Sequence, residues 1–229
     1  MFGPQHLWAM AVIFAITMLL PLAVKRMQSE RTTRAIALSL AWLLLLAKVV
    51  EPIYRISMGE VWKDVLPLHL CDIGAVLAGI MLINRNYFLY ELTYFWGLGG
   101  TLQAILTPTL QNGFPHLDFW YYFVNHALII IAAIYATVLF RFRPTLKSTW
   151  RAFKTTLVVA LLIAPINWLL NTNYLYLCAK PHSASLLDYL GGWPWYILSL
   201  LPVCLFTFFV YYSPFWLVER VRNRMQKNH

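Results

Sequence analysis

Seven stretches of this 229-residue chain stay apolar for about the 20 residues that a helix needs to cross the hydrocarbon core of a bilayer. They lie near residues 6–24, 35–54, 66–83, 88–106, 119–140, 155–172 and 194–217. With 60% of residues hydrophobic and only 12% charged, the chain has too few polar side chains to cover a surface in contact with water. In lipid every backbone N–H and C=O must find its partner within the chain, so such segments are expected as helices. The sequence therefore predicts an all-α polytopic membrane protein with seven transmembrane helices. One domain covers residues 1–217, a basic tail follows at 218–229, and no internal repeat marks an inverted-repeat transporter.

The formal net charge of +9 would suggest nucleic acid as a partner in a soluble chain, but here the cations fall in short runs between apolar stretches. Fourteen of the eighteen Lys and Arg lie on one side of the seven-span arrangement: four over 25–34, Arg85, five over 141–154 and four over 220–227. Only Lys63 and Lys180 lie on the other side, with Lys48 and Arg55 in or at the end of the second stretch. The positive-inside rule then predicts an N-terminus outside and a C-terminus in the cytoplasm, in the plasma membrane of a bacterium. The start MFGPQHLW has no positive charge before its first apolar run, which reads as a retained span and not a cleaved signal peptide. Trp8, Trp62, Trp120, Trp193, Trp195 and Tyr196 fall where an outer interfacial belt belongs.

This topology sends the polar residues of five stretches to the same leaflet. Lys48, Glu51 and Arg55 end the second stretch, while His69, Cys71 and Asp72 begin the third in LPLHLCDIG, 66–74. Gln103 and Thr107 close the fourth, Asn125 and His126 lie one or two turns into the fifth, and Asn167 and Asn171 end the sixth. Cys178, Lys180 and His182 follow in the outer connection. Polar side chains inside spans are costly unless they face a partner or a cavity, so a cavity opening outward or into the outer leaflet is expected.

Helical spacing refines the set. Lys48, Glu51 and Arg55 share one face as a basic–acidic–basic row, serving either as a neutralising ladder or as a headgroup contact. His69 and Asp72 are three apart and could form a pair that orients the imidazole. Cys71, two positions from His69, points away from it on a regular helix, so a base for its thiol must come from another span. His126 is the histidine that lies inside a span. A thiol activated by such a histidine is a sound arrangement for acyl transfer through a thioester. Asn125 or Asn167 could stabilise the oxyanion; Asn167 and Asn171 read equally well as interhelical glue.

Three cysteines at irregular spacing predict no disulfide framework, leaving only a Cys71–Cys178 bridge open. His69, Asp72, His116, Asp118 and His126 have no metal-ligand spacing, so neither a metal nor a cofactor is expected. The expected partner is a membrane lipid and not nucleic acid. A non-enzymatic lipid or small-molecule transporter or sensor using the same cavity is the competing reading.

LPLHLCDIG, the segment LTPTLQNGFPHLDF at 106–119, the pair Asn125–His126, and NTNYLYLCAKP with GGWPWYI at 171–181 and 191–197 together resemble the YwaF-like family of bacterial integral membrane proteins. That family looks similar to a eukaryotic transmembrane acyltransferase family that remodels ether phospholipids. More distantly it is similar to the androgen-induced membrane hydrolases of fatty-acid esters, which use a threonine and a histidine. The likeness runs from about residue 45 to 215. It implies an intramembrane acyl-transfer or ester-hydrolysis site with Cys71 as nucleophile and His126 as general base. His69 and Asp72 would support the site, and Lys48, Glu51, Arg55 and Lys180 would stand near the headgroup.

Overall fold

The structure is a computed structural model that describes residues 3–108, 110, 112–181 and 185–227. His182 lies outside the described residues. Seven helical rods follow one another: α1 (Pro4–Arg26), α2 (Glu30–Ser57), α3 (Leu70–Asn84), α4, α5 (Leu117–Leu139), α6 (Leu146–Leu170) and α7 (Trp195–Lys227). The rod α4 runs as α-helix over Tyr87–Trp96, passes through a π-helical turn at Gly97–Thr101 and ends as α-helix over Leu102–Leu106. Among the described residues there is no strand. Five of the rods, α1, α2, α5, α6 and α7, are long and apolar enough to cross a membrane.

The rods overlap the seven apolar stretches, and their bounds differ most at the start of α6, at Leu146 and not 155, at the start of the third and at the end of the last. The third begins at Leu70 and not at 66, because Pro67 and an extended His69 (φ −68°, ψ 152°) delay the first helical turn. The last continues through the segment set apart as a tail, since VERVRNRMQK has no glycine or proline to stop it. Within that extension the Arg220 guanidinium lies 4.5 Å from the centre of the Trp216 ring.

Short-range signals set the ends. Ser29 accepts from the Thr32 amide, Asn86 from that of Leu89, and Thr145 with Ser148 forms a capping box. Arg85 and Asn171, both in the left-handed region, end α3 and α6. At one end of the bundle the connections are short, residues 27–29, 85–86 and 140–145. At the other they are long, residues 58–69, 107–116 and 171–194.

The rod α5 is the centre of the bundle: 61% of its apolar window is buried, against 11% for α6 and α7. It packs on α1, α2, α3 and α4. Between α2 and α3 the contact is made by Ala37, Ala41, Ala75 and Ala78, all fully buried, which lets the two backbones approach closely. Arg34 of α2 donates to the Leu82 and Ile83 carbonyls at the end of α3 (3.2 and 2.6 Å). The short-connection end is tied by a polar network. Glu91, fully buried in α4, accepts from Ser148 and Arg151 of α6, Trp96 donates to Thr156 (2.8 Å) and Tyr94 to the Tyr211 carbonyl of α7 (3.0 Å).

The α2–α3 contact has a measurable consequence at Gly79, where a Cβ would stand 2.8 Å from Leu45 Cγ and 3.2 Å from the Ala41 carbonyl oxygen. Gly79→Val is expected to lower the melting temperature in detergent, corresponding to about 1–3 kcal/mol of overpacking. Gly113→Ala, with no atom within 4 Å of the added methyl, should leave it unchanged in the same assay.

Candidate functional site

Polar residues of three helices meet at the long-connection end around Lys48. Its ammonium, nearly buried, donates to Glu51 Oε2 at 2.6 Å on its own helix and to Asp72 Oδ1 at 2.7 Å on α3. Asn125 Nδ2 of α5 donates to the same Glu51 oxygen at 3.1 Å. Three helices are thus joined by one cation and two carboxylates. Beside them lies a polar niche with about 20 Å³ of free space, enough for about one water, lined also by Arg55, Asp64 and His69.

This arrangement differs from the row expected on α2. The Lys48–Glu51 pair forms, but Arg55 turns outward and forks Glu60 (2.9 and 2.6 Å), because Glu51 is already occupied. The His69–Asp72 pair does not form either. His69 precedes the helix in extended backbone, so helical spacing does not bring it to Asp72, whose Oδ1 goes to Lys48. The His69 ring packs instead against Tyr174 and Tyr176, with centroids 5.1 and 5.6 Å away.

Cys71 stands in the first turn of α3, directly before Asp72. Its Sγ accepts a hydrogen bond from Thr101 Oγ1, 3.7 Å away in the π-helical turn of α4. The first turn has no side-chain cap, and its earliest bonds run from the Asp72 and Ile73 amides to the His69 carbonyl. Among the described residues the Leu70 and Cys71 amides have no acceptor, which leaves two aligned N–H donors beside the thiol. Cys71, Cys178 and Cys204 are all free, so the Cys71–Cys178 bridge left open by the sequence is not formed.

His126 comes to the same level from α5. Its Nδ1 lies 2.6 Å from the Tyr122 carbonyl oxygen, and its ring lies tilted against the Tyr122 ring, with centroids 4.3 Å apart. A carbonyl can only accept, so Nδ1 carries the hydrogen in that bond and the neutral ring keeps its lone pair on Nε2. The rods α4 and α5 run antiparallel, and a Cβ on Gly97 would stand 3.3 Å from Ile129 Cγ2. One turn toward the long-connection end from that contact are Thr101 on α4 and Asn125–His126 on α5. Within the described residues no hydrogen bond joins Cys71 to His126 directly, and Thr101 lies in the turn between their two helices.

The long connections support this geometry from outside. Asn167, fully buried, donates to the Tyr174 carbonyl (2.9 Å) and accepts from the Tyr174 amide (2.8 Å) and the Thr172 hydroxyl (3.0 Å). Tyr174 in turn donates to the Lys63 carbonyl at 2.6 Å and packs on His69. Through these bonds Asn167 acts on the start of α3 by way of Tyr174. His116 and Asp118 cap α5 with Asn112, away from His126. Lys180 rests over the Tyr196 ring at 5.7 Å. A much larger apolar groove, about 580 Å³, lies between α1 and α5 on the face bearing Trp120, Phe123 and Ala127, the opposite side of α5 from Asn125.

The profile of the TMEM164 family, a family of transmembrane proteins, matches residues 1–212, so the chain belongs to that family. An uncharacterized protein of Treponema pallidum (strain Nichols) is 25% identical over 230 residues, covering 98% of this chain and 93% of that protein. No solved structure matches.

Removing the shared cation tests the charged knot. Lys48→Met leaves Glu51 and Asp72 facing one another unpaired and is expected to cost about 3–5 kcal/mol of stability in detergent. Lys48→Met combined with Asp72→Asn should recover much of that loss, as read by thermal unfolding of the two variants side by side.

Proposed function

We propose that this protein, a member of the TMEM164 family, is an integral membrane acyl-transfer enzyme acting on lipid, with Cys71 as the acyl carrier and His126 as the general base. The observation that carries the reading is the meeting of three features at one level of the bundle. A free thiol sits in an uncapped helix turn, two unused amides lie beside it, and a histidine is held by Tyr122 with Nε2 open. The likeness to the YwaF-like proteins and to the cysteine/histidine acyltransferases supports the same pair.

In the proposed reaction, Nε2 of His126 takes the Cys71 thiol proton as the sulfur attacks the carbonyl carbon of a lipid ester. The carbonyl oxygen becomes an oxyanion that the Leu70 and Cys71 amides stabilise, with the positive end of the α3 dipole behind them. Collapse breaks the ester C–O bond, and the departing alkoxide takes the proton back from His126. This leaves a Cys71 thioester and a lipid alcohol. An acceptor hydroxyl, or water in a hydrolase, then gives its proton to His126 and attacks the thioester, and the thiolate leaves and is reprotonated.

The remaining residues take supporting places. Lys48, Glu51, Asp72 and Asn125 hold α3 against α2 and α5. Arg55 and Lys48 have their charges answered by Glu60, Glu51 and Asp72, so Lys180, over Tyr196, is the cation we assign to an anionic headgroup. In this reading the seven rods all span the membrane with the long connections outside, as the Lys and Arg distribution suggests, and the site faces the outer leaflet. The alternative is a lipid binder without chemistry, and the apolar groove between α1 and α5 is the feature that favours it.

The two readings separate at the thiol. Purified protein incubated with p-nitrophenyl palmitate should gain one acyl mass, on the peptide containing Cys71. Cys71→Ala should lose the adduct completely, and His126→Ala should slow its formation about 10²- to 10⁴-fold, both with unchanged thermal unfolding. An unmodified wild-type protein together with unchanged lipid profiles in cells expressing it would sink the enzyme reading and leave the binder.

A further inference from the structure

We propose that Thr101 is a positioning residue for the Cys71 thiol, and that the π-helical turn Gly97–Thr101 is what aims its hydroxyl at the sulfur. The inference rests on the acyl-transfer reading for its purpose, but its geometry stands independently of it. Thr101 is almost completely buried, and its Oγ1 lies 3.7 Å from Cys71 Sγ. Four other helix-borne threonines make a different bond. Thr137, Thr155, Thr156 and Thr207 each return the hydroxyl to the carbonyl four residues earlier, as threonine in a membrane helix ordinarily does.

The backbone register explains the exception. In the π turn the Gly97 carbonyl accepts from the Leu102 amide, five residues on. The extra residue in the turn rotates the following side chains about the helix axis relative to a plain α-helix. Thr101 is thereby turned toward α3 and does not bond back to its own helix. Glycines at 97, 99 and 100 keep side chains out of the turn, and Gly97 could not carry a Cβ without pressing on Ile129 at 3.3 Å.

A hydroxyl donating to sulfur favours the thiolate over the thiol and holds the sulfur in one rotamer. Thr101 therefore helps set how readily Cys71 gives up its proton and where its lone pair points. His126 receives that proton from the neighbouring helix. Neither role requires Thr101 to touch the acyl group.

The test reads the thiol itself. Full-length protein in detergent micelles is alkylated with iodoacetamide across a pH series, and modification of Cys71, Cys178 and Cys204 is followed by peptide mass spectrometry. In Thr101→Val and Thr101→Ala, Cys71 alkylation at pH 8 should slow about five- to tenfold, the effect of one lost hydrogen bond to a charged form. Cys178 and Cys204 should react at wild-type rates, which reports an intact fold. Thr101→Ser, which keeps the hydroxyl, should react within twofold of wild type.

Wild-type Cys71 rates in a folded Val or Ala variant would overturn the proposal. A Ser variant slowed as much as Val would overturn it too, because the methyl group and not the hydroxyl would then be responsible. Failure of the acyl-transfer reading has a different signature: the p-nitrophenyl palmitate adduct persists in Cys71→Ala or never forms on the wild type, whatever the alkylation rates show.

Discussion

The site depends on a single ammonium group. Lys48 of α2 is bonded to Glu51 one turn on and to Asp72 of α3, and Asn125 of α5 completes the group through Glu51. In a low-dielectric interior two carboxylates could not stay close without that cation, and the cation could not stay buried without them. The pairing therefore fixes which way the first turn of α3 is rotated. Because Cys71 is the residue before Asp72, the side of α3 that binds Lys48 also decides that the thiol faces α4 and its π turn.

The two ends of the bundle divide the work. At the short-connection end, Glu91 with Arg151 and Ser148, Tyr94 with the Tyr211 carbonyl, and Tyr135 with the Thr33 carbonyl (2.8 Å) lock neighbouring rods together. Polar bonds of this kind set the register between helices where apolar packing alone would allow sliding. At the long-connection end the same register brings the Thr101 hydroxyl to Cys71 Sγ. There the loops act as buttresses: Asn167 orders Tyr174, and Tyr174 braces both Lys63 and His69 just before α3 begins.

Much of this was legible from the residues. Apolar stretches of bilayer length marked the seven rods, and the uneven Lys and Arg distribution pointed to one end as the place for polar chemistry. The Lys48–Glu51 pair followed from helical spacing. The His69–Asp72 pair did not form, because periodicity applies only inside a helix and Pro67 displaced the helix start beyond His69. Arg55 escaped its expected partner because Asn125 and Lys48, distant in sequence, already held Glu51. Asn167 looked like an interhelical bridge and proved to organise its own following loop. Thr101 was overlooked altogether. Its one signal was the glycine-rich GLGGT inside an apolar stretch, a pattern that foretells an irregular turn but not the direction of the next side chain.

By itself the sequence determined what local chemistry can determine: where helices must run to satisfy their backbones in lipid, and which ends carry charge. Only the tertiary structure decided which partner each polar group takes. A buried donor or acceptor must bond to whatever the packing of other helices places within about 3 Å, and that choice is not encoded in spacing along any one of them. So Lys48 serves two carboxylates, Tyr122 sets the open face of the His126 ring, and one extra residue in a helical turn sends the Thr101 hydroxyl to sulfur.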